Sequence, residues 1–541
     1  MLRKIRIGVA WAVFALATLL VVDFTGALHA WLGWVAKVQL IPAILAVNVA
    51  ALIVVGALTL LFGRIYCSTL CPLGIMQYGV SWLSGRRRGK KARFRHSRPM
   101  SWLRYGLLAL AVVAMVAGIG AVVSLLDPWG TFGRIAQNIF SPLWRGANNL
   151  LAMAAERAGS YAFHSQEVYV RSGIALGVAA VWMVGLAAMA WWKGRIYCNA
   201  ICPVGTLLGM VSRVSLFRLA VDGSKCTKCG LCEKKCKSGC IDSAAGTIDR
   251  SRCVVCFDCL ESCNFGAVKY IPKGGMIVGV GVVDENEVPE LKEGLEDLER
   301  GLNDLENEIS AAVKKGMNRR NFFSVAALVA AATPAAVKAQ QVERILLQVD
   351  GGLADIADKK RPERRTPITP PGSKNARSMK QHCTACQLCV SACPNNVLVP
   401  SSRLATLMQP EMTYERGYCR PECVECGEVC PAGAIEKITP ADKTAISVGN
   451  AVWVEANCVV GRDNVPCTEC ERHCPTKAIT LVPMNAQEAA REAAGRPRTP
   501  ILKTPVVDTT LCIGCGACEH LCPARPFSAI YVEGNVSHHQ L

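Results

Sequence analysis

The chain has 541 residues, with 60 Lys and Arg against 42 Asp and Glu (formal charge +18), 51% hydrophobic residues and 29 cysteines; its mean hydropathy is +0.27. The length exceeds that of one domain, and the apolar content excludes a disordered or collagen-like chain. An odd cysteine count in so long a chain excludes complete disulfide pairing and a disulfide-stapled miniature fold. It makes metal ligation the first chemistry to test.

Four apolar stretches open the sequence, near 7–30, 38–62, 105–126 and 172–192, each about the 20 residues that cross hydrocarbon. Asp23 interrupts the first. Trp31, Trp34, Trp102, Trp129, Trp191 and Trp192 stand at several ends, where interfacial anchors belong. Basic residues crowd the N-terminus and the 86–98 loop, whereas 127–170 carries only Arg134, Arg145 and Arg157. The positive-inside rule therefore puts the N-terminus, that loop and residues 193–273 in the cytoplasm. Asp23, His29 and Asp127 then fall near the outer face. Ionisable residues at that depth are candidates for a pocket where a substrate gives up protons; the plain alternative is ordinary interfacial polar residues.

GRIYCSTLCPLG (63–74) and GRIYCNAICPVG (194–205) form a repeat, each copy ending a span on the cytoplasmic side. Spacing of i and i+4 puts both thiols of a copy on one helical face. If the helix ends meet, Cys67, Cys71, Cys198 and Cys202 surround one point as a redox or metal centre. The rival reading is a pair of helix-terminating packing motifs.

Downstream, six groups hold four cysteines each: 226, 229, 232, 236; 253, 256, 259, 263; 383, 386, 389, 393; 419, 423, 426, 430; 458, 467, 470, 474; and 512, 515, 518, 522. Four groups read C-x2-C-x2-C-x3-C, and the other two stretch only the first gap. Three thiolates two residues apart wrap one cubane, and the fourth reaches its neighbour. Zinc needs no such overlapping triplets, so the pattern predicts six 4Fe–4S clusters. Residues 226–268 resemble bacterial-type two-cluster ferredoxins, although Lys237 and Asn264 stand where proline is usual. The resemblance implies one cluster on Cys226, Cys229, Cys232 and Cys263 and another on Cys253, Cys256, Cys259 and Cys236. Cys240 is left over as a buried small residue. The spans, the repeated motif and this unit, residues 1–273, look like the NapH-type membrane quinol dehydrogenase component.

Residues 284–309 carry eleven acidic against two basic side chains and a short leucine heptad stripe, a spacer helix or a docking segment. KKGMNRRNFFSVAALVAAATPAAVKAQ (314–340) looks like a twin-arginine export signal inside the chain, or a fifth span. The remaining C-terminal stretch resembles NapG-type periplasmic ferredoxins, so the whole chain resembles a NapH–NapG fusion. In this part CPAGAIEKI (430–438) and CPTKAITLV (474–482) are expected to form a ferredoxin strand pair. That implies nested clusters: Cys383, Cys386, Cys389 with Cys522; Cys419, Cys423, Cys426 with Cys474; Cys458, Cys467, Cys470 with Cys430; and Cys512, Cys515, Cys518 with Cys393. Sequential pairing, first group with second and third with fourth, is the rival.

The expected fold is a mixed membrane α plus α+β chain, a four-helix transmembrane bundle followed by bacterial-type two-cluster ferredoxin domains. Its expected parts are 1–213 (four spans), 214–273 (cytoplasmic ferredoxin), 274–316 (acidic linker), 317–340 (signal or span) and 341–541 (four-cluster ferredoxin). No haem, flavin or nucleotide motif is found. The expected function is oxidation of membrane quinol at Asp23, His29 and Asp127. Electrons would pass through the cubanes to a periplasmic or cytoplasmic reductase or cytochrome subunit, with no nucleic acid involved. The expected location is the bacterial inner membrane, multi-pass, with the first ferredoxin cytoplasmic and the C-terminal one periplasmic. About 30 Å of hydrocarbon would then divide the clusters, a gap for the quinone, the C-x3-C-P centre or a partner to close, unless all six clusters lie in the cytoplasm. A copper-oxidase maturation factor and a non-catalytic relay anchor are the alternatives.

Overall fold

The computed structural model describes residues 1–23, 26–88, 94–160, 163–272, 349–350, 354–355, 358–495 and 500–541. Met1–Lys273 and Ala357–Leu541 form one compact unit, and Gly274–Ile356 a second. The acidic heptad stripe and the twin-arginine-like segment lie outside the described residues.

The helical part runs α1 (Leu2–Val22), α2 (Ala27–Lys37), α3 (Leu40–Leu45), α4 (Val49–Phe62), α5 (Tyr66–Thr69), α6 (Pro72–Arg88), α7 (Ser101–Val116), α8 (Gly120–Leu126), α9 (Pro128–Ile135), α10 (Ser141–Arg157), α11 (Gly173–Lys193) and α12 (Pro203–Val211). Two helices, α1 and α11, are 21 residues each and apolar enough to cross a membrane, about 31 Å long at 1.5 Å per residue; α11 covers the last expected span, whereas α1 covers the first only as far as Val22. The other two are broken. Val47 takes φ 50° and Asn48 then caps α4 through the Ala51 N–H, so 38–62 splits into α3 and α4. Gly118 (φ 71°) parts α7 from α8. The first expected span stops at Asp23, which leaves the helix in extended conformation.

The first ferredoxin region is closed by β1 (Phe217–Val221) pairing antiparallel with β4 (Val268–Pro272), around the hairpin β2 (Ile241–Asp242) and β3 (Thr247–Ile248). The C-terminal region pairs β5 (Leu398–Pro400) with β6 (Pro410–Met412), β7 (Ile446–Trp453) with β10 (Ile530–Gln540), and β8 (Ile479–Pro483) with β9 (Lys503–Val507). The expected strand pair between 430–438 and 474–482 does not form. Residues 430–438 make turns, and β8 finds its partner just ahead of the last cysteine group.

The two ferredoxin regions contact opposite ends of the same helices. At its start α1 is tied to the first region by Arg3 Nε donating to Asp258 Oδ1 (2.8 Å). Just past its end α11 is tied to that region by the Arg195 N–H donating to the Lys237 carbonyl (2.9 Å). Just before its start, Arg171 donates to the Val390 carbonyl of the C-terminal region, and Ala175 packs with Ala385 and Met408. The α7–α8 segment behaves likewise: Arg104 reaches Ser251 at one end, while Gly120 lies against the Lys380 carbonyl at the other.

Candidate metal centres

All 29 cysteines are free. The four groups of unvaried spacing fold into one loop shape. Its third and fifth positions take positive φ: Lys228 and Gly230, Val255 and Phe257, Ala385 and Gln387, Gly514 and Gly516. Left-handed residues cost roughly 1–2 kcal/mol each when not glycine, most for a β-branched residue such as Val255. Such alternation turns successive N–H groups inward into an anion-binding nest, a recurrent setting for iron–sulfur sites. In the two stretched groups the corresponding residues, Val424 (φ −121°) and Thr468 (φ −127°), stay on the ordinary side. The longer first gap reaches its ligand without the strained turn.

The thiols fall into groups of near neighbours. Cys232 lies with Cys226, Cys229 and Cys263, and Cys259 with Cys253, Cys256 and Cys236. In the C-terminal region Cys389 lies with Cys383, Cys386 and Cys430, and Cys426 with Cys419, Cys423 and Cys393. Cys518 lies with Cys512, Cys515 and Cys474. A cavity is lined by Cys458, Cys467, Cys470 and Cys522. The nested pairing expected from sequence is therefore corrected: Cys522 and Cys430 exchange places, and so do Cys474 and Cys393. The strand pairing explains it, because β8–β9 and β7–β10 enclose the third and fourth groups together. Among the described residues no three His, Cys, Asp or Glu side chains close on a single metal ion, whereas a cubane spreads its four thiolates more widely. The residues present fit 4Fe–4S clusters.

The clusters' neighbours are ordered along the molecule. Cys426 is in charge contact with Cys389, and the Cys419 N–H donates to the Cys515 carbonyl (2.9 Å). Backbone N–H groups of Ala267, Ala385 and Ala529 approach the sulfurs of Cys263, Cys383 and Cys522 at 3.3–3.4 Å. The Lys359 ammonium, lowered to about 8 by burial, donates to the carbonyls of Glu519, His520 and Cys522. Cys240 is buried 3.5 Å from the Cys236 sulfur.

The C-x3-C-P copies do meet. Cys67, Cys71, Cys198 and Cys202 are all buried, and Cys202 shares its surroundings with the other three. The copies are interlocked by their arginines: Arg64 donates to the Cys198 carbonyl (3.0 Å) and Arg195 to the Cys67 carbonyl (2.8 Å). Sequence reasoning misses this exchange; its one trace there is the arginine kept in both copies. Tyr66 donates to Gln39 Oε1 (2.7 Å). Cys198 sits in a five-residue π-helix, Tyr197–Ile201, a distortion frequent at functional sites.

The three acidic and imidazole candidates do not form one pocket. Asp23 Oδ2 lies 3.4 Å from His29 Nδ1, both buried, and the charge of Glu425 reaches His29. Asp127 instead caps α9, its two oxygens accepting from the Trp129 (3.2 Å) and Gly130 (2.8 Å) N–H groups. Asp258, beside the first ferredoxin loops, is pushed up by burial but held below the carboxylate range overall by Lys237 and Arg3.

A family model described as "4Fe-4S binding domain" matches residues 44–91 and 176–221, and a "4Fe-4S dicluster domain" matches 465–525. The first two matches contain no cysteines except Cys67, Cys71, Cys198 and Cys202. The ferredoxin-type protein NapG of Escherichia coli K12 is 30% identical over 186 residues, 32% of this chain and 75% of the relative. The chain belongs to the NapG family of ferredoxin-type proteins. It is an iron–sulfur protein, and the relatives it matches are named ferredoxin-type proteins. NapF of the same organism is 26% identical over 169 residues, covering 31% of this chain and 87% of NapF. The methylamine utilization ferredoxin-type protein MauM of Methylobacillus flagellatus is 30% identical over 162 residues, 29% of this chain. The chain spans just under two thirds of the MauM proteins, 64% and 66%. No solved structure matches.

Proposed function

We propose that the chain is a multi-pass inner-membrane protein of NapH–NapG type that oxidises quinol and relays electrons through six 4Fe–4S clusters to a reductase or cytochrome subunit. One observation carries the reading. Two ferredoxin regions grip opposite ends of helices about 31 Å long, the thickness of a hydrocarbon core. With the basic segments inside, the first region faces the cytoplasm and the C-terminal one the periplasm. The clusters supply one-electron carriers when bound; the chain holds them in sequence and keeps water from the inner ones. The Asp23–His29 pair is suited to accept a quinol proton, because His29 Nε2 is buried without a hydrogen-bond partner among the described residues. Asp127, capping α9, holds the helix that touches the Cys383 loop.

Anaerobic addition of a reduced menaquinol analogue to the full chain in detergent should bring up the electron paramagnetic resonance of reduced clusters. His29→Ala should slow this by about 10²-fold with iron content unchanged. Clusters that dithionite reduces and quinol does not would leave an anchor or relay without quinol chemistry.

A further inference from the structure

The relay reading leaves the two ferredoxin regions divided by the length of the helices, and the cysteine quartet lies between them. Arg64 donates to the Ser251 carbonyl (2.8 Å) and reaches Cys253 of the first region by charge. On the other side Tyr197 and Arg134 lie within electrostatic reach of each other and of Asp127, and Arg134 of Cys383 and Cys386, while Gly133 beside Arg134 lies against the Cys386 carbonyl. Arg64 thus bridges the quartet to the first region, and Tyr197 and Arg134 lie between it and the Cys383 loop.

Its charges do not balance without a ligand. Arg64 and Arg195 are fully buried, and among the described residues no carboxylate pairs with either. Arg195 Nε and Nη2 and Arg64 Nε also lack hydrogen-bond partners. Buried, uncompensated guanidinium charge is costly. Gln77, 1% exposed, sets its carbonyl 3.5 Å from the Cys198 sulfur while its Nε2 finds no partner. The amide turned over would donate to a thiolate there. Four thiolates around an oxidised cubane carry a net charge of −2, which matches the two arginines.

We propose that Cys67, Cys71, Cys198 and Cys202 jointly hold a seventh 4Fe–4S cluster, two ligands from each C-x3-C-P copy, and that this cluster joins the electron paths of the two ferredoxin regions. The proposal rests on the relay reading. In each step the quartet's cubane gains one electron and its neighbour loses one; no bond is made and no proton moves. Arg64 and Arg195 are positioning residues: they lock the copies together and offset the added negative charge. The repeat keeps Arg and both Cys because each copy is half of a site.

Iron and acid-labile sulfide should be counted on the anaerobically purified full chain and on the Cys71→Ser/Cys202→Ser variant. The expected result is about 28 irons per chain falling to about 24, with the sulfide falling in step. Equal counts near 24 in both would overturn the seventh cluster and leave the six-cluster reading standing; a wild-type count well below 24 would strike that reading instead. Arg195→Gln keeps every ligand and covers the case of a variant that fails to fold. One cluster's midpoint potential should move to a lower value, and electron passage between the regions should slow. Unchanged potentials with unchanged passage would also overturn the proposal.

Discussion

At the first ferredoxin region a buried ionic cluster reinforces the backbone contacts with the helices, whereas at the C-terminal region helix glycines lie directly against the cysteine loop. Asp258 gathers Arg3 Nε (2.8 Å), Lys237 Nζ (2.8 Å) and the Tyr78 hydroxyl (3.0 Å). On the other side α9 lays Gly130 and Gly133 against the carbonyls of Thr384 and Cys386, so closely that a Cβ on either would overlap an oxygen. The exposures differ in step. Cys229 of the first region is exposed, while Cys383, Cys386 and Cys389 are buried. Cys229 is left open to a partner, whereas Gly130 and Gly133 let the Cys383 loop press into the helical core.

In both regions the fourth thiol of each group lies with the adjacent group, and breaking one ligand tests this most severely. Cys430→Ser should cost one cluster and leave Cys383, Cys386 and Cys389 open to alkylation, read by mass spectrometry. Labelling of Cys458, Cys467 and Cys470 instead would restore the nested arrangement. Next in size is Asp258→Asn, which strands a buried lysine and should cost about 3–5 kcal/mol in denaturant unfolding of the first region. Because the folded carboxyl titrates below its unfolded value of about 3.9, its contribution is present above that pH. It is lost as pH falls through the folded value, so the gap between wild type and variant should close in acid. Gly133→Ala should cost about 1–3 kcal/mol through overpacking, seen as a lower melting temperature and faster proteolysis. Gly146→Ala, with open space around it, is the control; equal effects would show that the close approach is not structural.

The ligand loops were legible because cubane ligation is local. Residues two apart must share a centre, so spacing alone names three of every four ligands. The fourth depends on which strands pair, a long-range choice that the similarly patterned CPAGAIEKI and CPTKAITLV could not reveal. The helix breaks were half-visible. Gly118 offers a left-handed turn, and around Val47 the one local sign is Asn48, an N-capping residue type in an otherwise apolar run. The meeting of the C-x3-C-P copies could be anticipated from their likeness. The crossed arginines could not, since a residue kept in both copies says nothing about which copy it serves. Depth alone makes Asp127 a pocket residue. Its sequence, Asp followed by Pro at the head of a helix, also spells an N-cap, and the cap is what forms.

The smallest effect separates the regions at a single thiol. Cys240 has no counterpart in the C-terminal region, and it faces the sulfurs of both Cys236 and Cys253. A ligand there would make five thiols for one cubane, whereas a thiol donating to thiolates would tune it. The spacing favours tuning, because Cys253, Cys256, Cys259 and Cys236 already complete the set. Cys240→Ala should then keep every iron and lower that cluster's potential by about 20–60 mV, the worth of one hydrogen bond of roughly 0.5–1.5 kcal/mol in a one-electron couple. Loss of iron on the same substitution would make Cys240 a ligand and leave one of the other four thiols without its expected role.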